Sequence, residues 1–358
     1  DRWFLQNYRL RSESLTNLFF RESTSTVNLT GKTDTGWFDA RGYYFRTLSY
    51  NDWQKQQPLV RPVIDYNKRH QGPAWLGGEI TVDANVTSLS RDAAVFQQTP
   101  RANTYLFSFP NASLYDTCLT YRAGSCIVRG IGGNYSRASI ETSWRRNITD
   151  SFGQVWTPYL SVRADGILAD VDTTNYVNRN ISNFITPNRE DHARVMPTAG
   201  LTYRYPFVAT STGWGTHIIE PIAQIAARPN ETRIRTTFNE DAQSLIFDDT
   251  NLFSWNKFSG YDRTEGGVRA NLGAQYTGQF TKDSYANLMF GQSYHLAGTN
   301  SFNAGDLALT GRNSGLERDA SDYVARAQFA PGKGWLIAAK GRFDQTNFNA
   351  QRVEISTA

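Results

Sequence analysis

The chain has 358 residues, with Lys plus Arg at 37, Asp plus Glu at 33, four histidines and a formal net charge of +4. No run approaches ~18 apolar residues, which excludes a transmembrane helix. With 21 Phe, 18 Tyr and 9 Trp the chain is not disordered, and its two cysteines are too few for a disulfide scaffold or a four-thiolate zinc site. The near-balance of charge leaves no electrostatic footprint for nucleic acid. Residues 1–25 carry Asp1, Arg2, Arg9, Arg11 and Glu13 without an apolar core, so they do not read as a secretory signal.

In chain order, alternation with period two predicts strands over 22–31, 36–47 and 59–67, and more strongly over 76–86. There Leu76, Ile80, Val82, Ala84 and Val86 fall on one face and Glu79, Thr81, Asp83 and Asn85 on the other. A strand over 134–146 follows. Over 155–171, Trp156, Leu160, Val162, Ala164 and Leu168 oppose Thr157, Ser161, Arg163 and Asp165. Over 194–205, Val195, Pro197, Ala199, Leu201, Tyr203 and Tyr205 oppose Arg194, Thr198, Thr202 and Arg204. Strands over 215–228, 268–280, 283–297, 321–329, 335–343 and 348–356 complete an all-β reading without a long amphipathic helix.

Soluble β-sandwich strands also alternate, but they usually run ~5–6 residues. Several segments here keep their alternation past the ~9–11 residues that a tilted strand needs to cross a bilayer. The connections sort by parity. Short ones lie near 32–35, 68–74, 147–153, 206–214, 280–283 and 330–334; longer ones lie near 48–57, 90–131, 172–192, 229–263 and 298–318. An outer-membrane barrel has short periplasmic turns and long external loops, whereas a sandwich has no reason for such sorting. Trp37, Trp75, Trp144, Trp156, Trp214 and Trp335 all sit beside short connections, the placement of an aromatic girdle. The expected fold is therefore an all-β, antiparallel transmembrane outer-membrane β-barrel, with residues 1–358 as a single barrel region. The final run Arg352–Ser356 lacks a terminal aromatic. An open edge is untenable in lipid, so further strands are expected to close what is a segment of a larger barrel.

The polar strand face would line a wet lumen rather than a packed core. Its cations, Arg163, Arg194, Arg204, Arg269, Arg326 and Lys340, are candidates for contact with phosphates and acidic sugars. Pro62, Pro158, Pro197 and Pro221 fall within strands on the apolar face, where bulges are expected and weakened strand pairing is the alternative. Cys118 and Cys126 share the longest loop and are expected to form a local disulfide outside the cytoplasm, worth about 2–3 kcal/mol of local order. Sequons at Asn28, Asn85, Asn111, Asn134, Asn147, Asn180 and Asn230 are discounted, since Asn/Ser/Thr-rich strands generate such triplets by chance. No histidine has metal-ligand spacing, and no metal or cofactor is expected. Ser293 and His295 share a strand face by parity, which is the only hint of a hydrolase.

The run Phe253-Ser-Trp-Asn-Lys-Phe258-Ser-Gly260-Tyr-Asp262-Arg263 leads through Arg269 into the strand 270–280. It resembles the Phe-x-Gly-x-Asp-Arg signature of the LPS-assembly protein family LptD, also called organic solvent tolerance protein, within its C-terminal barrel. Arg61-Pro-Val-Ile-Asp-Tyr66, Arg194-Val-Met-Pro197, Ile219-Glu-Pro221 and Phe38-Asp-Ala-Arg-Gly-Tyr-Tyr-Phe45 resemble family segments in the same order, in an alphaproteobacterial style. The resemblance implies an outer-membrane lipopolysaccharide translocon subunit of a Gram-negative bacterium that inserts LPS into the outer leaflet. It implies an LptE-like lipoprotein plug in the lumen and an LptA-like periplasmic bridge reached through a jellyroll. That jellyroll, the gate strands and the family's interdomain cysteines are not matched in this chain. It implies no catalysis and no nucleic acid. A general porin or ligand-uptake barrel is the alternative. Asp262 and Arg263 could pin their loop through neighbouring backbone near the plug, or they could form an ordinary salt bridge at the start of a strand.

Overall fold

The computed structural model describes residues 22–48, 52–98, 126–172, 188–234, 237–242, 245–280, 284–303, 311 and 313–358. Its strands are β1 (Glu22–Thr33), β2 (Gly36–Thr47), β3 (Leu59–Gln71), β4 (Glu79–Arg91), β5 (Val95–Gln98), β6 (Cys126–Gly130), β7 (Gly133–Arg145), β8 (Ile148–Thr149), β9 (Val155–Val171), β10 (Asn188–Arg204), β11 (Phe207–Ser211), β12 (Gly215–Arg228), β13 (Gly267–Gln279), β14 (Tyr285–Ala297), β15 (Tyr323–Gly332), β16 (Trp335–Phe343) and β17 (Ala350–Thr357). Fifteen of them form one antiparallel sheet, β1-β2-β3-β4-β7-β9-β10-β12-β13-β14-β15-β16-β17, with β8 on β9 and β11 on β12; β5 and β6 pair separately. No helix among the described residues is long and apolar enough to cross a membrane. Each long strand pairs with its sequence neighbour, the up-and-down order that antiparallel hairpins produce. Among the described residues, β1 and β17 are not paired with each other.

The strands stagger along the sheet. β9 runs on to Val155 beyond Tyr159, which faces Arg145 at the end of β7. β12 begins at Gly215, well before Ile222, which faces Arg204 at the end of β10. Such stagger accompanies strand tilt in a barrel wall. Strands 36–47, 155–171, 215–228 and 335–343 have their expected bounds. The strand expected from Leu76 instead begins at Glu79, because Gly77 and Gly78 take left-handed φ values of 63° and 77° and finish the turn. Pro62 lies within register shifts on both sides of β3. Pro158, Pro197 and Pro221 do not mark bulges; each sits in an uninterrupted ladder on one side, and on the other side each falls at a gap in the pairing or just outside it, as the weakened-pairing alternative expects. Proline removes a donor toward one neighbour only, so the ladder on its other side is unaffected.

The two faces are inverted relative to a soluble protein. On β9, Leu160, Val162 and Leu168 are 53%, 51% and 53% exposed, while Arg163 and Asp165 on the other face are 5% and 3% exposed. The same outward apolar face continues through Val27, Leu29, Val195, Ile219, Leu272, Leu288 and Ile355. Leaving such side chains in water forfeits roughly 1.5–3 kcal/mol each, whereas acyl chains cover them without cost. Trp37, Trp75, Trp156, Trp214 and Trp335 are exposed at the short-turn end.

The expectation of an unpacked lumen is corrected. Two apolar clusters lie on the inner side, and both use residues from the connections. One joins Ile234, Phe247, Leu252 and Phe258 with Met289, Phe302, Leu316 and Val324. The other places Phe238 among Val60, Leu89, Ile131, Tyr135, Ile167, Ala169 and Val171. The polar strand face is dry where the loop 229–266 lies against it.

Candidate functional site

The loop 229–266 leaves the sheet at the end of β12 and returns at β13. Its base is closed by the Gly267 N–H donating to the Pro229 carbonyl at 3.3 Å. Between these points it crosses the inner face and binds strands far apart in the sheet. Glu240 accepts from Arg91 of β4 at 2.9 and 3.1 Å and from the Ile131 N–H at 2.7 Å. Arg163 of β9 donates to the Tyr261 carbonyl, as does Arg194 of β10 at 2.9 Å. At the far tip, Asp249 pairs with Arg326 of β15 at 3.0 Å and Asp248 with Lys340 of β16 at 2.9 Å.

Asp262 is the hub. It is fully buried and accepts from the Tyr135 hydroxyl, the Arg137 guanidinium, and the Glu240 and Asp241 N–H groups at 2.6 and 3.0 Å. Asp241 returns the arrangement by accepting from the Tyr261 and Asp262 N–H groups at 2.8 and 2.9 Å and pairing with Arg137 at 2.8 Å. The loop segments 240–241 and 261–262 are thus cross-tied by two carboxylates, and one strand arginine clamps both. Arg263 donates to the Phe238 and Thr237 carbonyls at 3.0 Å each. Side-chain bonds to neighbouring backbone and the ion pair of Asp262 with Arg137 hold this turn.

The rest of the motif has equally local reasons. Gly260 has φ of 70°, and a Cβ there would stand 2.6 Å from the Asp241 carboxylate. Phe258 packs on Phe302 with ring centroids 4.7 Å apart. The Tyr261 ring lies under the guanidinium groups of Arg137 and Arg163, each 5.2 Å from its centroid. The Phe253 carbonyl accepts from Gln224 of β12 at 3.0 Å. Glu265 accepts from the Lys257 N–H at 2.7 Å and lies 3.3 Å from Arg269 and 3.8 Å from Arg228.

The electrostatics follow from burial and pairing. Burial pushes the Asp262 carboxyl up, but the Arg137 charge and the bonds from Tyr135 and Glu240 N–H outweigh it and hold the group below its ordinary value. Burial likewise acts on Glu265, and the charges of Lys257, Arg269 and Arg228 reverse it, so this carboxyl is also held low. Asp241 is pushed up by burial and by the Asp262 charge. Glu240 and Asp249 are pushed up by burial despite their arginines. Burial lowers the Lys257 amine to about 8.

All six cations expected on the polar face have an acidic partner. Arg163 and Arg194 share Asp165, at 2.9 and 2.7 Å, and Arg194 also reaches Glu231 at 3.2 Å. Arg269, Arg326 and Lys340 meet the loop acids already described, and Arg204 pairs with Glu220 at 2.6 Å. Arg204 is the least buried of the six. The sequence reading missed Arg91, Tyr135, Arg137, Glu240 and Asp241. The available signals were the parity of Arg137 within 134–146 and the isolated acidic pair Glu240-Asp241 inside a long connection. The Ser293 hydroxyl donates to Asn271 at 2.6 Å and His295 Nε2 contacts the Gly298 carbonyl at 3.1 Å, so neither of these contacts joins the serine to the histidine. Of the expected Cys118–Cys126 bridge, Cys118 lies outside the described residues. Among those residues, no group of His, Cys, Asp and Glu is arranged to hold a metal ion.

A family model described as LptD, LPS transport system D, matches residues 1–358. No curated protein matches the chain.

Proposed function

The chain belongs to the LptD family, and from that membership we propose that residues 1–358 form one barrel region of a lipopolysaccharide translocon in which the loop 229–266 is the fixed inner element. The family acts in LPS transport and outer-membrane assembly, together with LPS, the Lpt bridge and LptE, and it is a transport and assembly family rather than a known enzyme family. The chain is accordingly an outer-membrane protein of LPS transport. The observation that carries the reading is the inverted sheet: an apolar face that the described residues leave exposed on one side, and on the other a polar face joined to its own loop through Asp262 and Tyr261.

In this reading Asp262 and Arg263 latch the loop, Phe253, Phe258 and Gly260 shape it, and Arg163, Arg194, Arg269, Arg326 and Lys340 serve first as its anchors. Phosphate contact along the path then falls chiefly to cations outside those anchors, such as Arg204 with its exposed guanidinium. An LptE-like lipoprotein would fill the interior left by the loop, and an LptA-like bridge would deliver the cargo from the periplasm. The porin reading gains no support from the sheet.

The test is depletion of the full-length protein in its Gram-negative host, with newly made surface LPS followed against porin assembly. Surface LPS is expected to fall early while porins still assemble. Unchanged surface LPS would remove the translocon reading.

A further inference from the structure

The outward face of the sheet carries a groove of its own. Register sets Ile80 of β4, Trp144 of β7, Leu160 of β9, Ala199 of β10 and Ala227 of β12 side by side in one row. With Val162 and Pro197 of the next row they line an apolar depression of about 670 Å³. Leu160 and Val162 stand 53% and 51% exposed beside the two small alanines. The Trp144 indole is fixed, donating to the Gly77 carbonyl at 2.9 Å. Arg228, the one charged residue of the lining, spends its guanidinium on the Thr198 hydroxyl at 3.1 Å and on the Trp255 carbonyl.

The groove lies where the wall is incompletely paired. The β10–β12 ladder stops at Ala199 and Ala227, while β10 runs on to Asn188. The Tyr205 N–H points toward β12, donating to the Pro221 carbonyl at 3.2 Å, so by alternation position 197 faces the same side. Proline there has no N–H to leave unsatisfied in lipid. Ile80 is the second residue of β4, at the short-turn end, and Ala227 the last but one of β12, at the long-loop end. The row therefore climbs the wall obliquely, and its four strand spacings make it about 19 Å long. One leaflet's half of the ~30 Å hydrocarbon core is about 15 Å, so the groove matches one acyl chain lying aslant. Its lower end is polar. His70 is in register with Ile80, and Lys68 with Val82, on the same outward face. Neither side chain has a hydrogen bond or ion pair among the described residues. The acids at this end are engaged elsewhere: Glu79 pairs with Arg145 at 2.9 Å, and Asp150 accepts from the Phe152 and Gln154 N–H groups.

We propose that this groove holds an anionic phospholipid of the periplasmic leaflet, with its phosphate on Lys68 and His70 and one acyl chain along the row from Ile80 to Ala227. The chain covers the wall where β10 loses its neighbour, and a free cation at the mouth selects the charge of the headgroup. The test is native mass spectrometry of the full-length protein in detergent, titrated with palmitoyl-oleoyl phosphatidylglycerol and separately with phosphatidylethanolamine of the same chains. Phosphatidylglycerol is expected to remain as a single adduct after phosphatidylethanolamine has dissociated. Lys68→Gln, which removes no intramolecular bond, is expected to weaken phosphatidylglycerol about fivefold and leave phosphatidylethanolamine unchanged. Ala199→Phe, which fills the groove, is expected to weaken both lipids. Lys32→Gln, on β1, is the charge control and is expected to change neither. Heat-modifiable migration checks that each variant folds, and Lys68→Gln decides the proposal by itself. Equal retention of the two lipids, retention that Lys68→Gln leaves unchanged, or an equal loss in Lys32→Gln overturns the proposal. So does displacement of the phospholipid by lipid A, or a two-chain species free of lipid. None of these results touches the depletion experiment, so the translocon reading stands or falls separately.

Discussion

Asp262, fully buried, and Asp241, partly exposed, sit on one buried arginine, and this fixes what their substitution does. Asp262→Asn keeps the size of the side chain but removes the charge, leaving Arg137 to a single carboxylate. Breaking a buried pair from one side costs about 3–5 kcal/mol. Amide hydrogen exchange over 229–266 is expected to speed up by the corresponding factor while exchange in β9 and β10 is unchanged; equal protection in the variant would refute the latch. Gly260→Val forces a side chain into left-handed backbone against the Asp241 carboxylate and is expected to loosen the same segment.

Lys257 gives a pH signature at the same scale. Its amine titrates at about 8 in the docked loop and near ~10.4 when released. Between these values the released state binds more protons, so docking strengthens as pH rises from about 8 to about 10. Lys257→Met is expected to flatten that rise, read from protease resistance of the loop against pH. On the acid side, Asp262 and Glu265 are held low, so their contribution is present above the ordinary carboxylate value and is lost as pH falls through their depressed values. Asp241 and Glu240, pushed up, have the opposite sign. The motif residues were legible in the sequence as a group, but their partners were not, because Tyr135 and Arg137 lie more than a hundred positions away.

Among the elements, the strands were read best. Alternation placed most of the long strands to within a few residues, because one face must meet lipid and the other must not; β10 starts six residues before its expected bound and β4 ends five residues after its own. The short β5, β6, β8 and β11 carried too little pattern to detect. The β15–β16 turn shows the local chemistry clearly: Lys333 and Gly334 have φ of 57° and 82°, the pair of positive values that a tight right-twisted hairpin needs. The loop 229–266 was recognised only as long. Its tip depends on two ion pairs with β15 and β16, so the double substitution Asp248→Lys and Asp249→Lys sets like charge against Lys340 and Arg326. We expect new protease cleavage within 245–252, with heat-modifiable migration of the barrel unaltered; resistance equal to the parent would show that the apolar cluster alone holds the tip.

At the scale of the whole molecule, the sheet is stabilised by two different solvents. The outward face gains from lipid, and the inward face gains from a loop that joins strands as distant as β4 and β16. Val162 lies on the lipid face partway along β9, 51% exposed. Val162→Arg is expected to cost about 2–4 kcal/mol of barrel stability if it lies near the midplane. Urea unfolding in bilayer vesicles measures it, and a cost below ~0.5 kcal/mol would argue against a lipid-facing position. A loop that spans the sheet ties strands that do not pair with one another, a contribution that no pairing of neighbouring strands supplies.

The sequence by itself determined the antiparallel strands of the sheet, which side of each strand is apolar, the placement of tryptophans beside the short connections and the resemblance to the family. All of these are written in local order: period-two alternation, the parity of connection lengths and short runs of residues. The tertiary structure decided that the interior is partly dry, that the expected lumenal cations are anchors with acidic partners, and that Asp262 is bound through Tyr135 and Arg137. The physical reason is that a buried charge is set by what packs on it from elsewhere in the chain, and strand periodicity records only which face a residue takes, not what comes to cover it.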